Sequence, residues 1–142
     1  MSSPQARQKA RARALEYLFG LEFTQDEWRG GFAAYWETFD SKEAVRIYAE
    51  LLVQGVFELR AQLDAGIDGA LTNWTPERVG RIERNILRLA LYEMTSVADV
   101  PPKVAINEAI ELAKGYGSDD SPAFVNAVLD RLKDAKLRES TA

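Results

Sequence analysis

Residues 101–130 read PPKVAINEAIELAKGYGSDDSPAFVNAVLD, and this stretch decides the fold. Pro101-Pro102 presets φ for the first turn of a helix, where a missing N–H costs nothing. Along that helix Lys103, Asn107, Glu108, Glu111 and Lys114 lie beside a broad apolar arc, the pattern of a helix packed in a bundle. Gly115 and Gly117 stop it. After the acidic pair Asp119-Asp120, Ser121-Pro122 gives a cap followed by proline, so a second helix starts within a few residues. It runs to about Lys136, with Phe124, Val128, Leu129 and Leu132 as its apolar positions.

Working outward, every other long segment also reads as helix, and no alternating run bounded by turn signals suggests a strand. A first helix is expected over Gln5–Glu22, apolar in its second half through Leu15, Leu18, Phe19 and Leu21. Thr24 and Glu27 have the spacing of a capping box for a second helix bearing Phe32, Tyr35 and Trp36. Ser41 caps a third, whose stripe is Val45, Tyr48, Leu52, Val56 and Leu59, with Gly66 and Gly69 marking a break near its end. Thr75-Pro76 starts a fourth that turns Val79, Ile82, Ile86, Leu89 and Ala90 inward, leaving Arg78, Arg81, Glu83, Arg84 and Arg88 mostly outside. The expected architecture is all-α: one compact helical bundle domain of six to seven helices over 1–142, with a basic arm at 1–13 and a frayed tail at 137–142.

Composition narrows the function. The 142 residues suit one domain, and 46% hydrophobic content with three tryptophans argues against disorder. Cysteine and histidine are both absent, which removes thiol nucleophiles, disulfides, the commonest general base and the usual metal ligands. No apolar run approaches the ~20 residues of a membrane span, and no apolar h-region follows the basic N-terminus. Neither cofactor nor metal is expected, catalysis is disfavoured, and the cytoplasm is the expected location.

Charge is distributed unevenly. Arg7, Lys9, Arg11 and Arg13 give residues 1–13 a charge of +4, while the remainder holds 14 basic and 22 acidic side chains, −8. A basic segment on an acidic body fits a local polyanion contact; a solvated helix start is the plainer reading. Positive charge at a helix N-terminus opposes the macrodipole, at a small cost. On a helical wheel Arg7 and Arg11 share one face and Lys9 and Arg13 nearly the opposite one. This half of the helix is therefore expected to project beyond the core.

Other constellations have two readings each. Asp119 and Asp120 favour the last helix through its dipole, or hold a cation, although the ligand spacing of an EF-hand is missing. Glu108 and Glu111 can approach one another, but an acid/base pair would also need a pocket, and a solvated face is the simpler account. Phe124 is either core or an exposed platform for a nucleobase, worth about 1–3 kcal/mol per stacked base. No phosphate-binding glycine motif is present.

The segments RIERNILRLALYEM (Arg81–Met94) and VPPKVAINEAIELAKGYGSDDSPAFVNAVLD (Val100–Asp130) closely resemble the NusB family of bacterial transcription antitermination factors, and ARQKARARALEYLF (Ala6–Phe19) resembles its arginine-rich first helix. Residues 24–72 match only in helical pattern. The resemblance implies a non-catalytic all-helical protein that binds boxA RNA with NusE, a small-subunit ribosomal protein, and joins the RNA polymerase antitermination complex on ribosomal RNA operons. It assigns RNA contacts to Arg7, Lys9, Arg11, Arg13, Phe19, Asp120 and Phe124, and contacts with NusE to Glu77 and Glu83. Gln8 and Lys9 dilute the arginine cluster, Phe19 lacks the hydroxyl of the family's usual tyrosine, and Ala127 replaces a usual glycine. Two alternatives remain: a NusB-like domain separated from an RNA methyltransferase, and a self-associating scaffold, since a homodimer is possible. The chain shows no catalytic domain, which favours a stand-alone factor.

Overall fold

The computed structural model describes residues 3–24, 28–38 and 42–141, with side chains for 3–21, 31–36 and 42–135. Within these residues the protein is all-α: α1 (Pro4–Thr24), α2 (Trp28–Thr38), α3 (Glu43–Gly69), a short 3-10 helix (Pro76–Arg78), α4 (Arg81–Ser96), α5 (Pro102–Tyr116) and α6 (Ser121–Thr141). No strand occurs among them. The chain divides into two compact units, Met1–Glu58 and Leu59–Ala142, the division falling within α3. The expected caps at Glu27 and Ser41 lie outside the described residues. α6 runs to Thr141, so the expected tail at 137–142 falls largely on its last residues.

In the first unit, α1 packs on α2 through an aromatic cluster. Tyr17 meets Phe32 and Tyr35 edge-to-face at 5.3 and 5.2 Å, and Phe32 and Tyr35 both meet Trp36. Leu15, Leu18, Phe32, Trp36, Val45, Tyr48, Leu52 and Val56 are buried as the periodicity predicts. A fully buried leucine or valine contributes roughly 1.5–3 kcal/mol. The start of α1 does not project as expected: Ala10, Arg11 and Ala14 are buried. The two alanines let a neighbouring surface come close, and Arg11 is enclosed along with them.

In the second unit, α5 packs on α4 and α6, and α4 packs on α6. Ile86, Leu87, Leu89, Ile106, Val125, Val128 and Leu129 make up much of this core. Three local expectations need correction. Thr75-Pro76 starts only the 3-10 turn; Val79 and Gly80 are extended, and α4 begins at Arg81 with Gly80 as its N-cap. α3 passes through Gly66, whose missing Cβ would lie 3.4 Å from Leu91 Cδ2, and ends at Gly69. α5 likewise passes through Gly115 and stops at Gly117.

The largest departure concerns α4. Arg84 and Arg88 do not lie outside the packed stripe. Arg88 donates from Nε and Nη2 to the two carboxylate oxygens of Asp64, at 2.8 and 2.9 Å, and from Nη1 to Asn85 Oδ1 at 3.0 Å. Arg84 donates to Asp68 Oδ1 at 2.6 Å and to the Pro76 carbonyl at 3.0 Å. Both pairs sit four residues apart on their helices, so each presents its charges on one face. The bidentate fork supplies the donors that a largely desolvated carboxylate needs.

Candidate nucleic-acid and partner interface

Five of the sequence-predicted residues, four of them basic, lie on α1 in the first unit. The Arg7 guanidinium sits 4.5 Å from the centroid of the Tyr48 ring, and that of Arg11 sits 5.9 Å away. The ring face, electron-rich at its centre, attracts both cations. Lys9 is exposed. Arg13 donates to Glu16 Oε1 at 3.0 Å, so an acidic neighbour already holds one of the four. Tyr35 completes this cluster by donating to the same Glu16 oxygen at 3.0 Å and to the Arg13 carbonyl at 3.3 Å. Burial, then the Glu16 carboxylate, pushes the Tyr35 hydroxyl far above its ordinary value, so it remains a donor at any physiological pH. Phe19, further along α1, is partly buried.

The second unit brings together three more. Glu83, Asp120 and Phe124 line one recess of about 240 Å³, along with Trp74, Arg78 and Ser121. Glu77 is exposed in the 3-10 turn and is not among its walls. Glu83 is the third residue of α4, and its carboxylate folds back over Gly80 so closely that a Cβ there would collide with it. It also accepts a hydrogen bond from the Ser121 hydroxyl at 2.5 Å. Ser121 accepts in turn from the Ser118 amide at 2.9 Å. Its hydroxyl therefore joins the α5–α6 loop to α4, where the sequence suggested a cap for the first turn of α6.

Asp120 is exposed, and Phe124 is partly buried. Phe124 meets Trp74 edge-to-face at 5.5 Å, so its two readings merge: one part packs and the other borders the recess. Trp74 is 49% exposed. Sequence reasoning missed it, as it missed Tyr48. A lone tryptophan in the polar run TNWTPER was the available signal for Trp74, whereas Tyr48 looked like any other core position. Among the described residues no group of three or more acidic side chains could hold a metal ion, and no helix is long and apolar enough to cross a membrane.

The arrangement suits recognition more than chemistry. One unit carries cations on a helix start, and the other sets an aromatic pair beside an acidic recess.

Comparison with known proteins agrees. The NusB family matches over residues 8–134. The chain is 43% identical over 127 residues to the transcription antitermination protein NusB of Trichlorobacter lovleyi, covering 89% of each sequence. Among solved structures, NusB of T. maritima superposes with a TM-score of 0.80 at 33% identity, covering 93% of this chain and 92% of that one. The antitermination factor NusB solved with NusE and double-stranded RNA superposes with a TM-score of 0.84 at 25% identity, covering 94% and 99%. By family match, sequence identity and fold together, this chain belongs to the NusB family.

Proposed function

We propose that the chain is a non-catalytic transcription antitermination factor of the cytoplasm, acting as one functional domain over residues 1–142. It binds boxA RNA together with NusE and joins the RNA polymerase antitermination complex. The observation that carries this reading is the family match across residues 8–134, with a close structural neighbour solved alongside NusE and RNA. Arg7, Lys9, Arg11 and Arg13 supply cations for phosphates, and guanidinium planes can also stack on bases. Phe19 and Phe124 offer apolar faces. Asp120 limits affinity by repelling phosphate. Glu77 and Glu83 meet basic groups of NusE, where charge complementarity speeds docking and sets its register.

Titration of labelled boxA RNA and a scrambled control, each with and without NusE, tests this. A tight response to boxA with NusE, and a weak one to the scrambled RNA, is expected. Equal affinity for both RNAs, or none for either, would overturn it.

A further inference from the structure

Trp74 stands out as a large apolar side chain left 49% exposed. Its backbone is anchored on both flanks: Arg131 donates to the Ala70 carbonyl at 2.8 Å, and Arg84 to the Pro76 carbonyl at 3.0 Å. The indole crosses the Phe124 ring at 64° with centroids 5.5 Å apart. Two rings at that angle cannot both lie flat on one base from the same side. They instead form a ridge with a recess on either side. Both rings line both recesses, of about 240 and about 320 Å³. Each recess has an arginine in its wall, Arg78 in the first and Arg131 in the second.

We propose that Trp74 is a second base-stacking residue: with Phe124 it forms a ridge whose two recesses take neighbouring bases of single-stranded RNA. This rests on the RNA-binding reading above and adds to it the place and number of stacked bases. The recess volumes sit at or below the low end of small-ligand sites, roughly 300–1,000 Å³, a size for a flat ring system. A platform that binds by stacking tolerates different bases, because each has a π-face. Asp120, in the wall of the first recess, disfavours a phosphate there. Its carboxylate can accept hydrogen bonds from the amino groups of a base. Anchoring the loop lowers the ordering cost of binding.

The test uses the full chain with NusE and boxA RNA. Trp74→Ala should weaken RNA binding by roughly 5- to 150-fold and leave the log–log salt slope unchanged, because phosphate contacts are kept. Trp74→Phe should retain most of the affinity. Trp74→Leu keeps an apolar contact with Phe124 but has no π-face, and should lose affinity like the alanine variant even if the alanine variant folds poorly. NusE binding without RNA should be the same in all of them. Wild-type RNA affinity in Trp74→Leu overturns the proposal while leaving the RNA-binding reading intact. A matching loss of NusE binding without RNA also overturns it, since Trp74 would then belong to a protein interface. Silence of the wild-type chain toward boxA removes both readings at once.

Discussion

Tyr48 and Glu16 hold the basic side chains of α1 in opposing ways. Tyr48 presents its ring to Arg7 and Arg11, which orients two guanidiniums without cancelling their charge. Such a contact is worth about 0.5–2 kcal/mol. Tyr48→Leu should therefore weaken RNA binding by roughly 2- to 30-fold, while Tyr48→Phe, which keeps the face, should change it little. In an Arg7→Ala/Arg11→Ala background Tyr48→Leu should have no further effect; an undiminished loss there would assign Tyr48 to stability alone. Glu16 does the reverse, neutralising Arg13 at 3.0 Å. Glu16→Gln should release that charge and tighten RNA binding by up to roughly 5-fold, the scale of a solvent-accessible pair. RNA titration at fixed salt reads both.

Between elements, the contacts that matter join different helices through polar side chains. The Arg88–Asp64 fork ties α4 to α3, with Arg88 side-chain exposure at 10% and Asp64 at 29%. Arg88→Met strips Asp64 of two donors and should cost roughly 2–3 kcal/mol in urea unfolding. Adding Asp64→Leu should recover part of that, because a carboxylate left with only Arg84, at 3.7 Å, is gone. Gly117 marks the other tight joint. A Cβ there would fall 2.5 Å from Ser121 Oγ and 2.9 Å from the Ala113 carbonyl. Gly117→Ala should lower stability by roughly 1–3 kcal/mol, seen as a lower urea midpoint with an unchanged m-value. Glu83 belongs to the same joint through Ser121. A charge reversal there would upset packing and docking together. Glu83→Gln keeps an acceptor for Ser121 and removes the charge, so it should impair NusE binding with little change in the thermal midpoint.

For the molecule as a whole, composition sets the response to solution conditions. With no histidine or cysteine, the chain has no side chain whose ordinary pKa falls between about 5.5 and 7.5. RNA affinity measured without NusE should be flat across that window. A slope would require a carboxylate pushed far above its usual range. The same affinity should fall with salt, with a log–log slope of roughly −1.4 for the two phosphate contacts of Arg7 and Lys9 on a single strand, and flatten when both are replaced by alanine.

The all-α class, the helix starting at Pro102, the stop at Gly117 and the +4 segment were all legible from residue order, and so was the family. These features rest on local rules: which dihedrals proline permits, which side chains repeat every third or fourth residue, which charges are neighbours along the chain. Folding alone decided that Arg11 is buried, that Arg84 and Arg88 answer Asp68 and Asp64, that Ser121 bonds Glu83, and that Trp74 meets Phe124. Each of these joins residues tens of positions apart, or encloses a polar group whose cost only a partner can offset. Helical periodicity gives the face on which a side chain lies; what it meets there depends on how the helices pack.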